Sequence, residues 1–267
     1  MQNISGKTQI TGIFGYPIEH TLSPAMQNAA FEATSLDYRY VPFLVHPDAL
    51  QNAVNAIRAL NLRGVNITVP HKEKVVGFLD DVHGEARFIG AVNTIVNSDG
   101  NLIGFNTDGR GFMKSLAEAG IPTRDKDILI VGAGGAARAV GYYLCKEAHS
   151  LTISARTHEK AETLARDLRK IRDVVQASRT LPEIEEFHVI VNATPLGLKH
   201  ADPLPFQTMG LHKGQVVYDL IYRDTPLLQD SRAKGCSVLN GAGMLLWQGA
   251  LAFELWTGKE PPVEAMR

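Results

Sequence analysis

The stretch Ile128-Leu129-Ile130-Val131-Gly132-Ala133-Gly134-Gly135-Ala136-Ala137 decides the fold. Four consecutive apolar residues read as a buried strand, and the glycines behind them match G-x-G-x-x-A at a strand-to-helix junction. There Gly132 allows a tight turn, Gly134 lets the backbone approach a pyrophosphate, and Ala137 lets helix and strand pack closely. Phosphates would rest on the free N–H groups of the helix start. A glycine-rich turn without a ligand is the competing reading, which the order strand, glycines, helix argues against.

Outward from this loop, strand signals recur at Leu151–Ser154, Val174–Ala177, Val189–Val191, Val216–Ile221 and Val238–Leu239. Helical patterns such as Ala161, Leu164, Leu168 and Ile171 separate most of them. Nearly continuous apolar strands alternating with helices predict a parallel, doubly wound sheet of the Rossmann type. Upstream, Ile10–Phe14, Pro24–Ala33 and Tyr38–Val45 read as β, α, β. Leu50, Val54, Ile57 and Leu60 form one helical stripe with Asp48 as its cap. Gly64–Val69 is a strand, and Val92–Asn97 and Leu102–Phe105 flank Asp99-Gly100, a strong hairpin signal. This half predicts a smaller α/β domain with a mixed sheet. A boundary falls near Asp108, and the apolar helix Met244–Trp256 returns to the first domain, making it discontinuous. The expected division is 1–107 with 241–267, and 108–240.

The end of the strand after the glycine loop selects the cofactor. An NAD site usually offers an acid there to the ribose hydroxyl, whereas this chain offers Ala155-Arg156-Thr157 and Lys160. Arg156 can clasp a 2'-phosphate through two charge-assisted hydrogen bonds, and Thr157 and Lys160 add a hydroxyl and a second charge. NADP is therefore the expected cofactor; the other reading makes Arg156 and Lys160 solvated charges at a helix start.

Several polar residues stand where a purely structural sequence has no need of them. Thr21 and Ser23 precede a helix start that suits a carboxylate, although on the residues alone an ordinary N-cap is the better account of Ser23. Strand alternation places Asn66 and Thr68 on one face, with Lys72 just beyond, and Asn93, Asn106, Thr107 and Asp108 add amide, hydroxyl and carboxylate groups. A Lys near an Asp beside a dinucleotide site suits hydride transfer to or from a secondary alcohol, whose proton must move as well. A surface Lys and a helix-capping Asp remain an equal reading of the spacing.

Composition narrows the classes. The 267 residues carry 27 Lys and Arg against 28 Asp and Glu, a formal net charge of -1, so nothing global points to nucleic acid or a membrane surface. Cys145 and Cys236 are far apart and without CxxC spacing, so neither a disulfide framework nor a zinc cluster is indicated, and no ligand spacing implies a metal. A reduced, cytoplasmic compartment is expected, with a small molecule as partner. The oligomeric state stays open, a homodimer among the choices.

Seven ordered motifs resemble the shikimate dehydrogenase family. They are Gly15-Tyr16-Pro17-Ile18-Glu19-His20-Thr21-Leu22-Ser23-Pro24, Gly64-Val65-Asn66-Ile67-Thr68-Val69-Pro70-His71-Lys72, Gly90-Ala91-Val92-Asn93-Thr94, Gly104-Phe105-Asn106-Thr107-Asp108-Gly109, Gly132-Ala133-Gly134-Gly135-Ala136, Asn192-Ala193-Thr194-Pro195-Leu196-Gly197 and Gly241-Ala242-Gly243-Met244-Leu245-Leu246-Trp247-Gln248. The resemblance implies NADPH-dependent reduction of 3-dehydroshikimate to shikimate. It implies Lys72 and Asp108 as the catalytic pair, with Lys72 exchanging the proton. Thr21 and Ser23 correspond to the carboxylate contacts, Asn66, Thr68, Asn93 and Asp108 to the ring-oxygen contacts, and Tyr222 and Gln248 to the remaining substrate contacts. For the cofactor it implies Gly132, Ala133, Gly134, Gly135, Ala136, Ala155, Arg156, Thr157, Lys160, Thr194, Leu220, Gly241 and Met244.

Three positions depart from the family's usual pattern. Thr21 replaces Ser, adding a methyl and stiffening χ1, which raises the question of quinate as a substrate. Ala155 replaces Asn and leaves Arg156 with more of the discrimination against NAD. Gln27 replaces His on a helix expected to lie away from the chemistry. The alternatives are a quinate/shikimate dehydrogenase that also uses NAD, and a noncatalytic NADP-binding sensor.

Overall fold

The computed structural model describes residues 4–199 and 201–267. The chain forms two compact units, one reaching to Gly111 and resuming at Leu246–Arg267, the other Phe112–Leu245. In order, the first unit contributes β1 (Gln9–Gly15), α1 (Ser23–Ala33), β2 (Tyr38–Leu44), α2 (Leu50–Ala59), β3 (Gly64–Ile67), β4 (Asp81–Val82), α3 (Gly84–Ile89), β5 (Thr94–Ser98), β6 (Asn101–Phe105) and the start of α4 (Asp108–Glu118).

Its sheet has the order β2-β1-β3-β5-β6-β4 and is mixed: β1 runs parallel to β2 and β3, whereas β5 is antiparallel to β3 and β6. The β5–β6 hairpin turns where the Asp-Gly pair predicts, with Asp99 at φ 52° and Gly100 at φ 89° and Ser98 paired with Asn101. Neighbouring side chains of β1 serve opposite faces: Ile13 joins one apolar cluster with Phe31 and Phe253, Phe14 another with Val54 and Ile57. The α2 stripe is shorter than expected. Leu50, Val54 and Ile57 are buried, but Leu60 ends the helix and is 66% exposed, because Asn61 turns the chain with φ 50°. Asp48 is not the cap either: Pro47–Ala49 form a separate 3-10 turn, begun by His46.

The second unit holds the rest of α4, then β7 (Asp127–Val131), α5 (Gly135–Leu144), β8 (Ser150–Ser154), α6 (His158–Arg169), β9 (Val175–Ser178), β10 (Val189–Asn192), β11 (Val216–Asp219), α7 (Pro226–Ala233) and β12 (Ser237–Leu239). All pairings are parallel, in the order β12-β11-β10-β7-β8-β9. This is the doubly wound sheet the sequence predicts, and strand order reverses between β7 and β10, the edge at which such sheets bind ligands. The helices α8 (Ala242–Thr257) and α9 (Val263–Met266) follow. From α8, Phe253 and Trp256 enter the first unit's core, where Trp256 Nε1 donates to Ile95 O at 2.9 Å. No described helix is long and apolar enough to cross a membrane.

Candidate active site

In the first unit, polar side chains gather at the ends of β3, β5 and β6. Lys72 follows β3, and Val92 N holds its backbone carbonyl at 2.8 Å, which fixes the root of a long side chain. At the tip, Nζ donates to Asp108 Oδ2 at 2.6 Å. Asp108 begins α4, with Asn106 Oδ1 accepting its N–H at 3.1 Å. Asn93 Nδ2 donates to the other carboxylate oxygen, Oδ1, at 2.8 Å. Asp108 is thus bound at both oxygens, while two of the three Lys72 ammonium protons are left for a ligand.

The hairpin brings these groups together. Pairing Thr94 with Phe105 sets Asn93 beside the residues after β6, so Asn93 Oδ1 accepts from Thr107 N at 2.8 Å. Asn93 Nδ2 also donates to Thr107 Oγ1 at 2.9 Å, and Thr107 Oγ1 donates to Gln248 O at 3.0 Å. The side chain of Gln248 reaches the same amide, with Oε1 3.3 Å from Asn93 Nδ2. Asn93 is 2% exposed, and both its amide protons and its oxygen are engaged internally. Its geometry is that of a group orienting Asp108.

Asn66 lies on β3 and donates to Asn93 O at 3.1 Å and Thr94 Oγ1 at 3.0 Å. Its Oδ1 accepts from Tyr40 Oη at 2.8 Å. Thr68 is past the end of β3, its N–H bonded to Phe14 O, and Gly15 leaves room for its methyl. Ser23 is the first residue of α1 and not its cap, a place taken by Leu22 without a side-chain bond. The Ser23 N–H donates to Thr21 Oγ1 at 3.3 Å, and its hydroxyl faces Tyr40. Burial drives the Tyr40 hydroxyl far above the usual tyrosine range, and Ser23 opposes this only in part. Gln27 is fully buried, and its Nε2 donates to Gly249 O at 2.8 Å, one residue from Gln248. Tyr40 and Thr94 are the site members that sequence patterning does not single out, since both read as ordinary strand residues.

In the second unit, a separate group surrounds the switch point. Gly132 has φ 118°, and a Cβ there would come within 2.8 Å of Ala193 O, so only glycine fits without strain. At Gly134 a Cβ would meet nothing within 4 Å, which leaves an open backbone face. Gly135 and Ala136 start α5 just beyond Ala133 and Gly134; no side chain caps it, and its first N–H groups lack intrahelical acceptors. Arg156, Thr157 and Lys160 are exposed where β8 passes into α6, after Ala155. Among the described residues none of their side chains is engaged in a hydrogen bond or ion pair. These features fit a dinucleotide that carries an extra phosphate.

The loops after β10 and β11 are tied to each other. Asn192 Oδ1 accepts from Thr194 Oγ1 at 2.7 Å, and Asn192 Nδ2 donates to Asp219 Oδ1 at 3.0 Å. Thr225 Oγ1 donates to Asp219 Oδ2 at 2.7 Å, and Leu220 N to Asn192 O at 3.0 Å. Burial raises Asp219 above the usual carboxylate range, against those hydrogen bonds. Gly241 packs its backbone against Leu220 O, Met244 is buried, and Tyr222 is 49% exposed.

The chain is similar to known proteins along nearly its whole length. Residues 13–95 match the model described as "Shikimate dehydrogenase substrate binding domain", residues 115–197 "Shikimate / quinate 5-dehydrogenase" and residues 241–267 "Shikimate 5'-dehydrogenase C-terminal domain". The shikimate dehydrogenase (NADP(+)) of Carboxydothermus hydrogenoformans is 46% identical over 271 residues, covering 99% of this chain and 97% of the relative. The crystal structure of the Aquifex aeolicus shikimate dehydrogenase superposes with TM-score 0.94 at 41% identity, covering 99% of this chain and 98% of the other. That of the Thermus thermophilus enzyme, in complex with NADP(H) and shikimate, gives TM-score 0.88 at 37% identity over 97% of both chains. With such identity along nearly its whole length, the chain belongs to the shikimate dehydrogenase family.

Proposed function

We propose that the protein is an NADP-dependent shikimate dehydrogenase, interconverting 3-dehydroshikimate and shikimate in aromatic amino acid biosynthesis. The observation that carries this reading is the Lys72–Asp108–Asn93 set, in which a carboxylate bound at both oxygens holds an ammonium with protons to spare. A protein that only sensed a metabolite would need the contacts but no proton donor.

Gly132–Ala136, with Thr194, Leu220, Gly241 and Met244, would hold the pyrophosphate and nicotinamide side of NADPH. Ala155, Arg156, Thr157 and Lys160 would hold its adenosine 2'-phosphate. When bound, this cofactor supplies a hydride to the substrate's carbonyl carbon. Lys72 Nζ gives a proton to the carbonyl oxygen as negative charge grows there, and takes it back in the oxidising direction. Asp108 keeps Nζ aimed and Asn93 keeps Asp108 aimed. Thr21 and Ser23 would meet the carboxylate, Asn66, Thr68 and Gln248 the ring oxygens, and Tyr222 would complete the substrate contacts. Free, buried Cys145 and Cys236 support the cytoplasm as the compartment. Assembly as a homodimer belongs to the same reading and is checked by sedimentation.

The test is absorbance of the reduced nicotinamide with shikimate or quinate against NADP+ or NAD+, in all four pairs. Dominant turnover of shikimate with NADP+ is the expected result; no turnover in any pair would overturn it.

A further inference from the structure

The Asn66 amide has only one workable orientation. Its Nδ2 lies 3.1 Å from the carbonyl oxygen of Asn93, which can only accept, so the nitrogen must face it. Oδ1 is thereby turned to Tyr40 Oη at 2.8 Å, and since an amide oxygen also only accepts, Tyr40 must donate. Beyond Asn66, Thr94 Oγ1 takes the second amide proton and passes its own to Asn93 Oδ1 at 3.0 Å. Asn93 in turn donates to Asp108. Every proton from Tyr40 to the carboxylate has an assigned direction, and Tyr40 is the far end. Both Tyr40 and Asn66 are buried.

We propose that Tyr40 is a positioning residue for substrate recognition, its hydroxyl fixing the Asn66 amide and the Ser23 hydroxyl in the orientation that a polyhydroxylated ring acid meets. The inference rests on the proposed function, which places Ser23 and Asn66 on the substrate. With both amide protons used internally, Asn66 offers a ligand one lone pair on Oδ1, and so selects a hydroxyl that donates. Without the Tyr40 hydroxyl that oxygen loses its buried partner, and the amide is held from the Asn93 and Thr94 side alone, so Oδ1 meets the ligand less firmly placed. The ring of Tyr40 has a separate task, packing on Trp256 at 5.9 Å, while Asn28 binds its backbone N–H and carbonyl. Tyr40→Phe therefore removes the hydroxyl and keeps the packing.

The experiment compares Tyr40→Phe with the unmutated enzyme. Expected are a rise of about tenfold in KM for shikimate, the effect of one lost buried hydrogen bond, a kcat within about threefold, and an unchanged KM for NADP+. Combined with Ser23→Ala, the total rise should fall short of the product of the two single rises, since both act through one network. A KM for shikimate within about twofold of the unmutated value would overturn the proposal. So would equal losses in kcat and both KM values with a lowered Tm, which describe a packing role. A second readout needs no turnover: the side-chain 1H–15N amide pair of Asn66 should shift and exchange faster in Tyr40→Phe. If the unmutated enzyme proved inactive, the proposed function would fall, and an unperturbed Asn66 pair would then separately overturn the role of Tyr40.

Discussion

Asn93 and Asp108 meet at 2.8 Å through the carboxylate oxygen that Lys72 leaves free. The ion pair is therefore gripped from behind, and Lys72 is 31% exposed at its side chain against 10% for Asp108, so the ammonium is the member that reaches outward. Lys72→Ala should lower kcat by roughly 10² to 10⁴, the range for one general acid. NADPH affinity, followed by nucleotide fluorescence, should stay within about threefold. Turnover within a few-fold of the unmutated enzyme would remove Lys72 from the mechanism.

Gly132 and Gly134 should separate folding from binding. A Cβ at Gly132 meets the Ala193 carbonyl in a backbone region closed to other residues, so Gly132→Ala should cost about 1–3 kcal/mol of stability. At Gly134 the added methyl has space, so Gly134→Ala should leave stability within about 0.5 kcal/mol while raising the KM for NADP+. Urea denaturation and steady-state kinetics on the two variants check this; equal behaviour would contradict it.

Under the proposed function Arg156 would carry most of the choice between nicotinamide cofactors, because Ala155 offers no side-chain polar group. Loss of a charged hydrogen bond is worth about 1.5–3 kcal/mol. Arg156→Gln should then raise the KM for NADP+ by roughly 10- to 100-fold and leave that for NAD+ nearly unchanged. Parallel changes in both would assign Arg156 to general electrostatics.

Asp219 sets a pH dependence of stability. Burial raises its carboxyl in the folded protein above the unfolded value, so the folded state favours the proton. That contribution is complete below the unfolded pKa of about 4 and is lost as pH rises through the folded value. Asp219→Asn cannot ionise. Its Tm relative to the unmutated protein should therefore improve between pH 4 and pH 7, as read by scanning calorimetry; an opposite trend would show that hydrogen bonding outweighs burial.

Particular elements explain what was legible beforehand. The parallel sheet follows from apolar strands and one glycine loop, both local in sequence. Asn93 and Asp108 are legible too, because a two-residue turn at Asp99-Gly100 dictates the register that brings their neighbourhoods together. Leu60 was not, since helical periodicity continues past the point where Asn61 reverses the chain. Tyr40 and Gln27 were hidden for another reason: their polar partners are 26 and 222 residues away, and no local rule links them.

The return of α8 into the first unit orders events during synthesis. Phe112–Leu245 is contiguous and can complete its core as soon as it leaves the ribosome, whereas the earlier-made unit waits for Phe253 and Trp256. Until those arrive, Phe31 and the carbonyl of Ile95 lack the partners that cover them. Chains ending at Leu245 and released from the ribosome should therefore resist protease in the younger half and be cut in the older one, the reverse of the usual order from the N-terminus.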